Sequence, residues 1–182
     1  MIPIHKLSGR LGNQMFQFAY IYSQMRDGII PDVYVQDYEY FDKYREAIRI
    51  IYREGVSDEV LPVVAIHVRR GDYVNNSFYV DLCNTNYYKE AMGEFKGQVF
   101  KVFSDDIEWC KRQEIFKGCT FSDNQTELAD LNEMMSCCGI IMANSTFSWW
   151  AAYLSNAKVI APKAWHPDGV ERTKLLSEWK KI

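Results

Sequence analysis

Short apolar runs recur along this chain, separated by segments whose apolar residues lie three to four positions apart. The runs predict β-strands, and the run at 63–68 is apolar enough to be buried on both faces of a sheet. The predicted strands are 2–6, 63–68, 98–103, 119–121, 139–143 and 158–161.

The segments with spaced apolar residues predict helices, because that spacing places the residues on one helical face. The helix predicted at 13–26 carries Met15, Phe18, Ala19 and Tyr22 on this face. Helical spacing also occurs at 38–53, 86–95, 107–113, 127–136, 148–155 and in a closing segment at 173–180. Strands and helices that alternate in this way imply right-handed crossovers, so we predict an α/β protein with a parallel sheet.

The composition is that of a folded protein, with 48% hydrophobic and 25% charged residues among 182. A net charge of −3 gives no electrostatic basis for binding nucleic acid or an anionic membrane. No apolar run approaches the roughly 20 residues of a membrane span, and the first residues lack the pattern of a signal peptide. We therefore expect a chain without a membrane span, located in the cytoplasm, either free or peripheral to a membrane.

The residues that usually bind metals are sparse or poorly spaced. The five cysteines form no Cys-x-x-Cys pair, so we expect free thiols. Asp105 and Asp106 are adjacent, without Asp-x-Asp spacing or a neighbouring histidine, and His166 lacks ligand-like neighbours. We therefore predict no metal ion and no cofactor.

Polar or glycine-bearing loops follow four of the predicted strands, at 9–13, 69–73, 104–106 and 144–147. Ligands of open α/β sheets bind outside the carboxyl ends of the strands. We therefore expect these four loops to lie on one edge of the sheet and to form one binding site.

Arg69 and Arg70 directly follow the most apolar strand. Arginine offers a planar fork that suits phosphate oxygens. Two adjacent arginines point in different directions, so one can face the crevice while the other is salt-bridged. The alternative is a surface pair that is bridged to Asp72.

Each of the other loops has two interpretations. The residues at 9–13 and 144–146 both open helices, where free amides attract phosphate, but a plain turn and a helix cap explain the same residues. A carboxylate at 105–106 can accept two hydrogen bonds from a guanine edge, whereas Asp106 can equally cap the next helix. Trp149 and Trp150 indicate core packing more than a sugar platform.

Four segments together resemble the bacterial-type α-1,2-fucosyltransferase family and its wider fucosyltransferase superfamily. They are 9–19, 67–73, 103–106 and 143–150, and they occur in the family's order. The resemblance implies a GT-B architecture, with a Rossmann-type domain at 62–182 that binds the donor and a reduced acceptor-side part at 1–61. It also implies transfer of fucose from GDP-fucose to the 2-hydroxyl of a terminal galactoside, with inversion and without a metal.

The resemblance further implies roles for individual residues. The pyrophosphate contact falls on Arg69, the guanine contact on the carboxylates at 105–106, and the contact near the β-phosphate on the loop at 144–146. Arg69 and Asp72 are the candidate catalytic residues, although Asp72 fits the role of orienting an arginine as well as that of general base. The residues expected to bind GDP-fucose are Arg10, Gly12, Asn13, His67, Arg69, Arg70, Asp105, Asp106, Asn144, Ser145 and Thr146.

The interval between the first two motifs is much shorter than in typical family members, so most of the acceptor-side domain is expected to be absent. Such a loss exposes apolar surface, and we expect self-association through Tyr38, Phe41, Tyr44 and Ile48. Besides an active transferase, two alternatives stay open: a non-catalytic binder of GDP-sugars, and an α/β carbohydrate-interaction domain whose motifs are idle.

Overall fold

A computed structural model describes residue 7, residues 9–26 and residues 36–182. The strand predicted at 2–6 lies outside these residues. The helices are α1 (Leu11–Arg26), α2 (Arg45–Tyr52), α3 (Tyr87–Gly93), α4 (Ile107–Lys111), α5 (Glu127–Ser136) and α6 (Thr146–Leu154). The strands are β1 (Leu61–Val68), β2 (Phe100–Ser104), β3 (Thr120–Phe121), β4 (Cys137–Ile141), β5 (Lys158–Ala161) and β6 (Lys180–Lys181).

The six strands form one sheet in the order β3-β2-β1-β4-β5-β6, and all of its neighbouring strands are parallel. This confirms the predicted α/β class with a Rossmann-type parallel sheet. The chain builds outward from β1 through β2 and β3, and then continues on the other side of β1 with β4. The strand order therefore reverses between β1 and β4, which is where doubly wound sheets bind their ligands.

Two hydrophobic clusters cover the two faces of this sheet. On one face, called here the α3 face, Val64, Ile66 and Val68 pack with residues of α3 and α4. On the other, called here the α6 face, Ala65 packs with residues of α1, α5 and α6. Because side chains alternate along a strand, successive residues of β1 belong to opposite faces, and the strand is buried on both as its sequence predicts.

The residues predicted to drive self-association pack within the chain instead of forming an exposed apolar surface. Phe41 and Ile48 are fully buried within the chain, and Tyr38 and Tyr44 pack partly buried against the same cluster. The ring of Phe41 stacks on Trp150, with centroids 5.6 Å apart. The physical reason is that α6 is apolar on all sides and must be buried. Residues of α1 and of the segment 38–52 bury it by packing against it. The expected exposure of these four residues is therefore wrong, whereas self-association of the chain stays a prediction.

Two predicted helices differ in the structure. The segment 38–53 is divided into two short 3₁₀-helices, Tyr38–Tyr40 and Asp42–Tyr44, followed by α2. The closing helix at 173–180 is wrong: its buried residues imitate helical spacing, but its backbone forms a turn and then β6. The indole Nε1 of Trp149 donates to the carbonyl of Lys174 (2.8 Å), and β6 pairs with β5 to form one edge of the sheet. Contacts with residues far along the chain therefore determine the conformation of this segment.

Candidate functional site

A cleft of about 650 Å³ opens at the carboxyl edge of the sheet, where the strand order reverses. The loops after β1, β2 and β4 meet there with the loop before α1, as the sequence predicts. Of the predicted site residues, the cleft is lined by Arg10, Gly12, Asn13, His67, Arg69, Asp72, Asp105, Ser145 and Thr146. Arg70, Asp106 and Asn144 are not among its lining residues.

Arg69 directly follows β1, and its side chain is only 10% exposed. One terminal nitrogen lies 2.8 Å from Oδ2 of Asp105, and the other donates a hydrogen bond to Oδ1 of Asp72. The guanidinium also lies 5.4 Å from the ring centroid of Tyr73. The fork is therefore fixed in the cleft wall before any ligand binds, so little ordering entropy remains to be lost on binding.

Asp105 joins the ends of β1 and β2. Its Oδ1 accepts a hydrogen bond from the backbone N–H of Arg70 at 2.8 Å, while Oδ2 pairs with Arg69 and lies 3.7 Å from a terminal nitrogen of Arg10. A Cβ at Gly71 would overlap Oδ2 of Asp105, so only glycine allows this close approach. Both carboxylate oxygens thus have partners within the protein.

Arg70 lies on the α3 face, away from the cleft. Its guanidinium stacks on Trp109 at 3.7 Å from the ring centroid, and its Nε lies 3.8 Å from Oδ2 of Asp106. Asp106 also caps α4, because its Oδ1 accepts a hydrogen bond from the backbone N–H of Trp109 at 3.1 Å. The alternative of an arginine pair bridged to Asp72 therefore holds for Arg69 alone.

His67 is a neutral, buried member of the cleft wall. It is 4% exposed, and its Nδ1 has no hydrogen-bond partner among the described residues. Burial, together with the positive charge of Arg69, lowers the pKa of His67 to about 3. The imidazole is therefore uncharged at neutral pH, and its ring lies 5.2 Å from that of Phe147.

The N-termini of α1 and α6 meet at the cleft. The hydroxyl of Thr146 donates to Oδ1 of Asn13 at 2.8 Å, and Ser145 caps α6 by accepting from the backbone N–H of Phe147 at 3.3 Å. A Cβ at Gly12 would lie 2.6 Å from the carbonyl carbon of Thr146. Gly12 therefore permits the contact between the two helices. Residues at the starts of both helices line the same cleft as Arg69, and helix-start amides attract phosphate.

Asn144 has a structural position next to the cleft. It is 2% exposed, and its side-chain amide donates to the carbonyls of Val80 (2.9 Å) and Trp165 (3.1 Å). Its own carbonyl accepts a hydrogen bond from the hydroxyl of Tyr73 at 3.0 Å. Asn144 thus ties together the loops that follow β1, β4 and β5.

Two groups of lining residues lie outside the four motifs of the sequence. One follows β3 and enters α5, at 124–127 and Asp130. The other is largely aromatic and comes from the loops after β1 and β5: Phe78, Tyr79, Trp165, His166 and Arg172. The high density of aromatic residues at 73–79 indicates a binding surface in the loop after β1. Only the fold shows that the loop after β5 packs against it.

Within the described residues, no group of three or more His, Cys, Asp or Glu side chains is placed to hold a metal ion. The same residues include no helix that is both long and apolar enough to cross a membrane. All five cysteines are free, as the sequence predicts.

The chain has detectable relatives among proteins of known function. An alpha-1,2-colitosyltransferase of Escherichia coli is 36% identical over 155 residues, covering 71% of this chain and 53% of the relative. The O-antigen biosynthesis glycosyltransferase WbnK of Escherichia coli is 26% identical over 185 residues, covering 86% and 61%. A galactoside alpha-(1,2)-fucosyltransferase 1 of Ateles belzebuth is 28% identical over 170 residues, covering 87% and 45%.

These relatives confirm the resemblance read from the four motifs, and this chain spans about half of their length. The family model for glycosyl transferase family 11 matches residues 28–182, which include the arginine loop, Asp105 and the start of α6. The loop at 9–13 precedes the matched residues. The chain therefore belongs to glycosyl transferase family 11.

Proposed function

We propose that this chain binds GDP-fucose in the cleft and transfers fucose to the 2-hydroxyl of a terminal galactoside, with inversion and without a metal ion. The observation that carries the proposal is the position of Arg69. It lies at the point where the strand order reverses, fixed by two carboxylates beside the starts of α1 and α6. An arginine fork and helix-start amides form a phosphate site built entirely from protein groups.

The same groups stabilise a leaving group. As the bond between the sugar carbon and the phosphate oxygen breaks, negative charge develops on the β-phosphate of GDP. Arg69 and the amides at Ser145 and Thr146 are preorganised to meet that charge.

In the proposed step, the acceptor 2-hydroxyl oxygen attacks the anomeric carbon on the side opposite to GDP. The new C–O bond forms while the C–O bond to phosphate breaks, and GDP leaves with the electron pair. The hydroxyl proton passes to a base, for which Asp72 is the candidate. Asp72 is 58% exposed and pairs with Arg69. A phosphate that engages Arg69 competes for that pairing, which would free the carboxylate to accept the proton.

The donor sugar has a second candidate. The relative with 36% identity is an alpha-1,2-colitosyltransferase, and colitose is fucose without the 3-hydroxyl. A transferase that discriminates between fucose and colitose must recognise the 3-hydroxyl group. Such recognition depends on a few residues in the sugar pocket. GDP-colitose is therefore the second donor that any assay should include.

The direct test is calorimetric titration with GDP followed by a radiolabelled transfer assay. GDP-fucose and GDP-colitose serve as donors, with a panel of galactosides as acceptors. We expect GDP binding and transfer from one of the donors. Binding without transfer to any galactoside would favour the non-catalytic GDP-sugar binder. Absence of GDP binding in the folded chain would contradict the proposal and favour a domain with idle motifs.

Metal independence is tested by chelation. We expect GDP binding and transfer to persist in EDTA, because Arg69 and the helix-start amides supply the positive potential that a divalent cation would otherwise provide. Loss of GDP binding in EDTA, restored by magnesium or manganese, would show that the carboxylates at 105–106 hold a metal.

A further inference from the structure

One wall of the cleft is aromatic and lies next to the predicted phosphate site. We propose that this wall, formed by Phe78, Tyr79, Trp165 and His166, is the subsite that binds the galactose ring of the acceptor. The proposal deepens the proposed function and rests on it.

The rings of the wall form a connected stack. Tyr73 and Tyr79 are parallel with centroids 3.6 Å apart, and Phe78 meets Tyr79 edge to face at 5.0 Å. His166 lies 4.6 Å from Phe78 and 5.4 Å from Tyr79. Phe78 is nevertheless 47% exposed, although its neighbours are packed. An exposed ring held by packed rings, inside a cleft, offers a flat apolar surface to a ligand.

Backbone hydrogen bonds fix this wall in place. The backbone N–H of Val80 donates to the carbonyl of Trp165 at 3.0 Å, and Nδ1 of His166 donates to the carbonyl of Phe78 at 2.9 Å. The buried amide of Asn144 bonds to the carbonyls of both Val80 and Trp165. Two loops from different strand ends are therefore joined, so the rings are ordered before a ligand binds.

The wall is continuous with Arg69. The guanidinium of Arg69 lies over Tyr73, Tyr73 stacks on Tyr79, and Tyr79 contacts Phe78. A transferase must hold its acceptor next to the bond that breaks. Phe78 is separated from the proposed phosphate site at Arg69 by two rings, those of Tyr73 and Tyr79. A sugar on Phe78 and Tyr79 would thus lie beside the donor sugar while GDP occupies Arg69.

Polar groups complete the match to a carbohydrate. Trp165 is 8% exposed, and its indole N–H is buried without a hydrogen-bond partner among the described residues. Such a donor is costly to leave unpaired. On the other side, Arg172 lies 5.0 Å from the centroid of Phe78 and is held by Asp168 through bonds of 3.0 and 2.7 Å. Aromatic surface with a few hydrogen-bonding groups is typical of small-molecule sites.

The chemistry favours galactose among common pyranoses. The axial 4-hydroxyl of galactose leaves the C–H bonds at carbons 3, 4 and 5 on the same side, and this apolar patch suits a flat ring. In glucose the 4-hydroxyl is equatorial and the C–H bond at carbon 4 points to the other side. We therefore expect methyl β-galactoside to bind the wall better than methyl β-glucoside.

The experiment measures sugar binding without catalysis. Saturation-transfer NMR titrates methyl β-galactoside and methyl β-glucoside into the full chain in the presence of GDP, and calorimetry measures GDP binding separately. We expect Phe78→Ala to weaken galactoside binding by about tenfold, because each 1.4 kcal/mol of lost stacking and burial is about tenfold. Phe78→Tyr keeps the ring and should bind within twofold of the wild-type chain.

Tyr40→Ala is the matched control, because Tyr40 is 48% exposed and does not line the cleft. It should leave galactoside binding unchanged. Galactoside binding that is absent in the wild-type chain, or unchanged in a folded Phe78→Ala, would overturn the proposal. The proposal would also be overturned if Phe78→Ala lost affinity for GDP-fucose but kept its affinity for GDP, because that result would assign the wall to the donor sugar. Galactoside binding that depends on Phe78 without any GDP binding would support the wall and contradict the proposed function.

Discussion

The two faces of the sheet use adjacent arginines in opposite ways. On the α6 face, Arg69 points into an open cleft and pairs with two carboxylates. On the α3 face, Arg70 stacks on Trp109 near Asp106, and a buried Nε has no hydrogen-bond partner among the described residues. The same residue type is thus prepared for a ligand on one face and used for packing on the other.

The difference follows from the period of the strand. Successive side chains of β1 point to opposite faces, so the residue that follows Val68 continues the cleft side and the next one continues the packed side. The α3 face is closed by α3 and α4, whereas the α6 face is left open beyond the starts of α1 and α6. One residue along the chain therefore separates a candidate binding group from a structural one.

The largest effect that would test this comparison is the loss of GDP affinity expected when Arg69 is replaced. Arg69→Ala should weaken GDP binding by roughly 10- to 150-fold, because a charged hydrogen bond contributes roughly 1.5–3 kcal/mol. Arg69→Lys should recover only part of the affinity, since an ammonium keeps the charge and loses the fork. Calorimetric titration with GDP measures both variants.

Arg70→Ala is the control on the opposite face. We expect it to lower the melting temperature, since it removes the stacking partner of Trp109, and to change GDP affinity by less than threefold. Unchanged GDP affinity in a folded Arg69→Ala, or a larger loss at Arg70, would reverse the assignment of the two faces.

Acid should destabilise the cleft face through His67. A histidine in the unfolded chain has a pKa near 6.5, whereas the pKa of His67 in the folded chain is about 3. Protons therefore favour the unfolded chain, and stability falls as the pH falls from about 6.5 towards 3. Between pH 7 and pH 5 the loss from this residue is about 2 kcal/mol.

Denaturant unfolding of the wild-type chain and of His67→Gln at both pH values measures this contribution. The variant should lose less stability between pH 7 and pH 5 than the wild-type chain. An identical loss in the two proteins would show that His67 does not titrate in this way.

Two glycines offer a matched pair of steric tests. Gly12→Ala places a Cβ against the backbone of Thr146 on the cleft face, and Gly139→Ala places one against the ring of Phe95 on the α3 face. Each should cost about 1–3 kcal/mol of stability, which is typical of overpacking. Only Gly12→Ala should also weaken GDP binding, because it separates the starts of α1 and α6. Equal GDP affinity in the two variants would show that this helix contact does not shape the site.

The smallest expected effect concerns Asp105, whose oxygens already hold Arg69 and the backbone of Arg70. If Asp105 positions Arg69, Asp105→Asn should weaken GDP and UDP binding by the same factor, about three- to tenfold, since about 1 kcal/mol is lost with one hydrogen bond. A loss specific to GDP would instead support the guanine contact that the family resemblance implies. Competition titrations with the two nucleotides distinguish these outcomes.

Much of this architecture was predictable because strong local patterns matched the tertiary demands. The run at 63–68 is the central strand, and α5 coincides with the predicted helix at 127–136. The loops gathered at one edge because parallel strands share an edge for their carboxyl ends. The helix predicted at 173–180 was wrong because the spacing of Leu175, Leu176 and Trp179 indicates only that these residues are buried. It does not determine the backbone conformation that buries them.

The sequence by itself determined the strand and helix alternation, the motif order and hence the family, because these depend on local residue types and their spacing. Only the tertiary structure decided that Arg69 rather than Arg70 lines the cleft, that Asp105 is held by protein partners, and that Phe78 meets His166. Those relations join residues from different strands. Their geometry depends on how the sheet, α1 and α6 pack together, which no single segment encodes.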